Sequence, residues 1–482
     1  MSDQETNKQH ILKNIKELRK KGFLRHGEIK DFLVRHLLSP DNNISRAAGR
    51  TIIEEVLGSE NSPLRLKALA ILKDKNLIQF NPHSPYYGQI DLHSHDCHSD
   101  GYQTPTALIL EAYEKGLAGI AITNHNQPSF DNEAEEAAKI LPLTYFRGSE
   151  NTVRLTSEAN SPSIHVVQLF TRQLSPEEWK ETMLLYFQRR SNKRDRIEGT
   201  DIDLHTLSAL DPEELKNYME WQRLMMVKNQ ALESMRNYNQ KYGNRWKLSM
   251  EEDDLEYAKR GDIFETYTVV VAIWKKYGSE FLRGIKLEDN GPRKKILKMN
   301  DIYEFMLRGE VMSSANHILY PTLDEIALGA TMWGSRIILP HPNELSKNVF
   351  TEVLERLALV KVEEDGVIKH YVNACIGLEF YTHKIKGAFK EKLKSYIEWL
   401  NDQHPVYKRY PLLLLPGSDS HGKFLPDRPL GFKGDYPEAR DEYSRKVIAA
   451  INQKPKELSE KEQEEIQDDY QNWRKSRHVY HK

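Results

Sequence analysis

The sequence predicts an α/β fold in which short, buried, parallel strands alternate with helices. Three observations carry this. Seven short apolar runs each stop at a histidine or a carboxylate, helical text with caps separates several of them, and the runs are bounded by Gly, Pro or Asn, as strands buried on both faces are. The runs are Ile90-Asp91-Leu92 before His93 and His95, Gly119–Ile122 before His125, Leu143–Phe146 before Glu150, and Ser163-Ile164 opening onto His165. Arg336–Leu339 precedes His341, Cys375–Leu378 precedes Glu379, and Leu412–Leu415 precedes Asp419 and His421. Parallel sheets keep their chemistry at the C-terminal ends of their strands, so these stops are the candidate site residues.

Taken in order, residues 8 to about 80 are expected to be helical, because Ile11, Ile15 and Leu18, then Leu33/Leu37 and Val34/Leu38, recur at helical spacing. Pro82 and Pro85 end that region. Thr104-Pro105 is an N-cap with proline at the first helical position, Ala107–Lys115 carries the helix, and Gly116 stops it. With the flanking strands this makes a βαβ unit. From Ser175 to Pro321 strand signals vanish into charged helical text, so a helical insertion is expected, with Met183, Leu184, Tyr186, Phe187, Trp221, Met225 and Met226 in its own core. The αβ rhythm resumes with a helix over Leu323–Trp333. The expected organisation is a helical N-terminal region (1–86), the first part of a barrel (87–175), the insertion (176–325), the second part of the barrel (326–452), and a charged C-terminal helix or tail (453–482).

At 482 residues the chain is long enough for a sizeable core, and 69 basic against 71 acidic side chains leave a formal charge of −2. No global field therefore advertises nucleic acid or a membrane surface. Two cysteines exclude a disulfide framework, the polar start lacks a signal peptide's apolar segment, and the longest apolar stretch, Val269–Trp274, is too short to span a bilayer. A soluble, reducing, cytoplasmic setting is expected.

His93-Ser94-His95 puts two imidazoles on one side of an extended chain, where both can grip one ion. Asp100-Gly101 adds a hard oxygen beside a residue that allows a tight turn. Imidazole plus carboxylate suits zinc, manganese or iron rather than calcium.

The stretches DLHSHDCHSDG, ITNHN, RGSEN, HVVQLF, LPHP and GSDSHG, in that order, closely resemble the motifs of the polymerase-and-histidinol-phosphatase superfamily of metal-dependent phosphoesterases, over roughly 87–175 and 326–450. The resemblance implies a distorted (β/α)7 barrel, here with a large helical insertion and helical extensions, and two or three divalent ions at the strand ends. Carried over by position, His93, His95, Glu150 and Asp419 would hold a first ion, with Glu150 bridging to a second on His165 and His341. Asp100, His125 and His421 would hold a third. One departure is Asn124, where the family usually has Asp; it can hydrogen-bond but adds no charge. The organisation looks most like the nucleotide-phosphatase branch called TrpH-like, although the Arg–His pair of that branch is not found around Gly261-Asp262-Ile263-Phe264.

Around this set, His98 and Cys97 are extra to the ligand count and expected to be structural, and Glu379 is a candidate for orienting a ligand or water. Arg428 and Arg147 could grip phosphate oxygens with their forked donors or form surface ion pairs. The clusters Arg189–Arg194 and Arg293-Lys294-Lys295 could track a nucleic-acid backbone or be a solvated face. Two ions about 3.5–4 Å apart can share a hydroxide and hold the attacking and leaving oxygens of a phosphate ester. No GxSxG elbow or GxxxxGK[ST] loop competes with that chemistry. The expected activity is hydrolysis of phosphate esters of nucleotides or nucleic-acid ends, with Glu150, Asp419, His421 and Arg428 as catalytic candidates. The alternatives are a phosphatase of a small phosphorylated metabolite and a non-catalytic scaffold that binds protein partners through its helical extensions.

Overall fold

The structure, a computed structural model, describes residues 56–57, 62–99, 101–125, 132–156, 161–172, 174–181, 184, 208–248, 268–278, 280–281, 283, 302, 321–364, 367–422 and 428–480. Helix α1 (Ser62–Asp74) leads to β1 (Ile90–Asp91), α2 (Pro105–Glu114), β2 (Gly119–Ile122), α3 (Glu133–Ile140), β3 (Thr144–Arg154) and β4 (Ser163–Phe170). Thr104 caps α2 by accepting from the Ala107 N–H, and Gly116, at φ 74°, takes the chain out of the helix. Helices α4 (Pro212–Trp246) and α5 (Thr268–Tyr277) follow, then α6 (Leu323–Trp333), entered through a Thr322/Glu325 capping box and left through Gly334 at φ 70°. The remaining elements are β5 (Arg336–Leu339), α7 (Lys347–Ala358), β6 (Leu359–Glu364), β7 (Val367–Val372), β8 (Cys375–Tyr381), α8 (Gly387–Gln403), β9 (Leu413–Pro416), α9 (Arg440–Asn452), β10 (Lys456–Glu457) and α10 (Glu460–Tyr480).

Seven strands form one sheet in the order β1-β2-β3-β4-β5-β8-β9. The sheet closes on itself, because Leu92 N–H donates to Pro416 O (3.2 Å), Asp419 N–H to His93 O (2.9 Å) and His95 N–H to Ser420 O (2.9 Å). This is a distorted α/β barrel. The expectation of parallel strands throughout is corrected at β4, which runs antiparallel to both β3 and β5. Only a short connection joins β3 to β4, and without a crossover helix the chain must return antiparallel. The reversal brings the beginning of β4, where His165 sits, to the rim on which the other strands end. Glu150 and Glu379 are also corrected, because each lies within its strand rather than after it.

Ile90, Leu92, Ala121, Phe146, Val167, Leu169, Ile338, Ile376 and Leu415 fill the barrel, with Val447 and Ile451 of α9 packed onto them. A filled interior confines chemistry to the rim. Outside, α1, α2 and α3 pack on one side, tied by a buried Arg65–Glu133 ion pair in which Arg65 Nε donates at 2.7 Å, while α6, α7, α8 and Ile466 of α10 cover β4, β5 and β8. One buried charge has no evident support: Arg336 shares the inward face with its partner Leu169, is fully buried, and presents Nε, Nη1 and Nη2 to no acceptor among the described residues.

A second, three-stranded antiparallel sheet, β10-β7-β6, was not expected from the sequence. Asp365-Gly366 between two alternating runs was its signal. In the insertion, Met235, Tyr238, Val269, Ile273 and Phe281 form a separate core, whereas Leu184 packs against the barrel's outer core. Met183, Tyr186 and Phe187 lie outside the described residues, as do the side chains of Trp221, Met225 and Met226 and most of the region before α1.

Candidate metal centre

Register explains how distant residues meet. Glu150 on β3 opposes Val167 on β4, and Thr152 opposes His165, so Glu150 and His165 are diagonal neighbours on one face. His93 and His95 follow β1, His125 follows β2 and bridges backbone to Glu150, His341 follows β5, and Asp419 and His421 follow β9. His341 and Asp419 have φ of 29° and 52°, two of four non-glycine residues with positive φ among those described. Such backbone is strained and persists where the surroundings over-determine it.

The side chains converge in three groups whose donor atoms lie within 4.8 Å of one another: His93, His95, Glu150 and Asp419; Glu150, His165 and His341; and His95, His125 and His421. Eight of the nine carried-over positions are therefore together, and Asp100 lies outside the described residues. Its neighbour Gly101 fits a tight turn, since a Cβ there would meet His95 O at 2.1 Å.

His93, His95 and His341 are anchored on Nδ1 and turn Nε2 inward, whereas His125 and His165 face Glu150 through Nδ1. A carboxylate only accepts, so Glu379 Oε1 at 2.5 Å makes His93 Nδ1 the protonated nitrogen and leaves Nε2 facing the cluster. That Nε2 lies 3.1 Å from His95 Nε2, 3.1 Å from Glu150 Oε2 and 3.5 Å from Asp419 Oδ1. His421 Nδ1 is anchored in the same way on the Asp419 carbonyl, at 2.9 Å. Glu150 Oε1 lies 2.9 Å from both His165 Nδ1 and His341 Nε2; Oε2 lies 3.2 Å from His125 Nδ1 but is buried and accepts no hydrogen bond among the described residues. So many lone pairs packed this closely repel unless protons or cations lie among them. An inward Nε2 with an outward-anchored Nδ1 is the usual posture of metal-binding histidine, so this donor set fits divalent ions.

The field shows in the proton affinities. Burial alone would lower the His93 imidazole, but Glu150, Glu379 and Asp419 hold it well above its ordinary value. Burial likewise opposes ionisation of Glu150 and Asp419, yet His93, His165 and His125 around the first, and His93 and His421 around the second, keep both well below the usual carboxylate range. Against the pull of burial, Glu150 and Glu344 raise His341 to about 9.

Several surrounding residues are now placed. Glu379 also accepts from the His341 backbone N–H at 2.8 Å, so one carboxylate orients two candidate ligands, and Gly417 makes room for it, since a Cβ there would meet Oε1 at 2.3 Å. Asn124 accepts from Asp96 N–H and the Ser99 hydroxyl and donates to Asp96 Oδ1, which pins the loop that carries the first motif. His98 pairs with that same Asp96 oxygen, and Cys97 is buried. Arg147 is corrected as a phosphate contact: it opposes Phe170 on the outward face and donates to Asn132 and Glu135. Arg428 is at the site, its Nη1 2.6 Å from Asp419 Oδ2. The clusters Arg189–Arg194 and Arg293–Lys295 lie outside the described residues.

Two site residues were missed in the sequence. Lys384, five positions after Glu379, reaches Asp419 Oδ2 at 2.7 Å and Glu344 Oε1 at 2.9 Å, and Glu344 Oε2 meets His341 Nδ1 at 3.1 Å. The rim rule points to the loop after β8 but not to a lysine several residues along it.

No family model matches the chain. Over 111 residues, 23% of this chain, it is 32% identical to a 5'-3' exoribonuclease of Haemophilus influenzae, and the chain spans 38% of that relative's length. Among solved structures it is similar to a candidate metal-dependent phosphoesterase from Bifidobacterium adolescentis (TM-score 0.40, 17% identity, 75% of this chain and 96% of that one). It is also similar to an amidohydrolase from Chromobacterium violaceum (TM-score 0.44, 15% identity, 76% and 98%). A two-domain protein from Bacteroides vulgatus with a PHP-like metal-dependent phosphoesterase part gives a TM-score of 0.14 at 15% identity, over 59% and 74% of the two chains. No helix among the described residues is long and apolar enough to cross a membrane.

Proposed function

We propose that this chain is a divalent-metal-dependent phosphoesterase of the polymerase-and-histidinol-phosphatase superfamily, in its TrpH-like branch, acting on nucleotides or nucleic-acid ends. The observation that carries the reading is the meeting of three ligand groups, two of which share Glu150. Bound there, divalent ions supply Lewis acidity and bring the ionisation of a water towards neutral pH. The chain's own residues do the rest. His93, His95 and Asp419 would form one holding group with Glu150, His165 and His341 a second with the same Glu150, and His125 and His421 beside His95 a third, to which the motif resemblance alone adds Asp100. Glu379 fixes the His93 tautomer and the turn at His341. Arg428, 27% exposed beside a buried Asp419, is placed to meet an incoming anion. His125 and His165 are the more open imidazoles, 28% and 34% exposed, so substrate is received on their side. The similarity to an exoribonuclease supports nucleic-acid ends over a small phosphorylated metabolite.

Protein purified without chelator should carry two or three ions per chain by elemental analysis. Loaded with manganese or zinc, it should release phosphate or nucleotide from nucleotides or 5'-phosphorylated oligonucleotides faster than from phosphosugars. Fewer than one ion per chain after loading would overturn the reading, and a preference for phosphosugars would move the small-metabolite alternative ahead.

A further inference from the structure

We propose that Lys384, paired with Arg428, is the phosphoryl clamp of this site and favours a terminal, doubly charged phosphate over a diester linkage; this rests on the phosphoesterase reading above. Both cations meet on one atom: Lys384 Nζ lies 2.7 Å and Arg428 Nη1 2.6 Å from Asp419 Oδ2. The other oxygen of the same carboxylate, Oδ1, faces the imidazole cluster, 3.5 Å from His93 Nε2 and 3.3 Å from His95 Nε2. Asp419 is thus shared between the metal-binding group and two fixed positive charges.

One negative charge cannot serve all of them. Were Oδ1 engaged by a divalent ion, the one other carboxylate on this pair among the described residues would be Glu344, which holds Lys384 at 2.9 Å and is itself held by His341. Among the described residues the rim beside Asp419 would then carry net positive charge. Lys384 is 11% exposed and Arg428 27%, so this charge is partly withdrawn from water yet reachable from it. A terminal phosphate carries about −1.5 to −2 at neutral pH and offers three acceptor oxygens, while a diester carries one charge on two free oxygens. Lysine supplies a point charge and arginine a fork, a pairing suited to the former. Arg147, engaged on the outward face, does not compete for this role.

A plain counter-ion for Asp419 would sit in the same place, so the test separates the two. The manganese-loaded full chain, as wild type, Lys384→Met and Lys384→Arg, is titrated calorimetrically with inorganic phosphate, its metal content is measured, and kcat and KM are compared on a nucleoside 5'-monophosphate and on bis(p-nitrophenyl) phosphate. The expected result is phosphate binding weakened at least about tenfold in Lys384→Met, as loss of a charge-assisted contact implies, with unchanged manganese and substantial recovery in Lys384→Arg. The monoester should suffer in KM more than the diester does. Phosphate affinity within about twofold of wild type, or manganese lost from Lys384→Met, overturns the clamp. A wild type that binds phosphate but hydrolyses neither ester refutes the phosphoesterase reading and leaves the clamp standing. If the diester instead proves the preferred substrate, the selectivity is wrong.

Discussion

Glu150 shows how much one side chain does here. It is buried, takes part in two of the three ligand groups, and faces His93, His95, His125, His165 and His341. Glu150→Ala is therefore expected to remove at least one ion per chain and to lower hydrolysis on the order of a thousandfold or more. Asp100→Ala should leave the first two ions in place, and elemental analysis of the two variants side by side checks the grouping. Glu379 acts one step further out. Glu379→Gln keeps the shape but can no longer enforce an Nδ1–H on His93, so metal affinity, measured by competition with a chelator, should fall about 10–100-fold.

Among the elements, β4 and β5 carry the least obvious choices. The reversal of β4 was hidden in the sequence, because a buried strand has the same apolar composition in either direction. Only the shortness of the connection between Arg154 and Ser163 hinted at it. On β5, Arg336 is a guanidinium enclosed with no acceptor among the described residues, and burial lowers it to about 10, so it still carries its charge at neutral pH. An unsupported buried charge costs stability. Arg336→Met, of similar length and apolar, should unfold at the same or higher denaturant concentration than wild type, by up to a few kcal/mol. A loss of stability would show that something outside the described residues, or water, supports the guanidinium.

For the molecule as a whole, removing metal with a chelator should make folding depend on pH. His341 is raised from 6.5 to about 9, and His93 is raised as well, so between those values the folded chain holds protons that the unfolded chain has released. The His341 contribution is complete below pH 6.5 and disappears as pH rises through about 9, and His93 acts in the same direction. Chemical denaturation in excess chelator should therefore show stability falling across that window, by up to about 3 kcal/mol for His341 alone. Metal displaces those protons, so loading should raise the unfolding temperature, remove most of the alkaline decline, and release protons in calorimetry.

The sequence by itself marked His93, His95, His125, His341, Asp419 and His421, because a strand followed by a histidine or carboxylate delivers that side chain to a barrel rim, and helix caps such as Thr104 and Thr322 follow from local chemistry. It also exposed the first-motif turn through Gly101. Tertiary structure decided what depends on direction and face. Arg147 and Glu150 are three residues apart on one strand, yet one points outward to Glu135 and the other into the cluster, because strand side chains alternate. His165 joins the site only because β4 is reversed. Lys384 became a site residue because the loop after β8 meets Glu344 and Asp419, both distant in sequence, a proximity that composition and spacing do not encode.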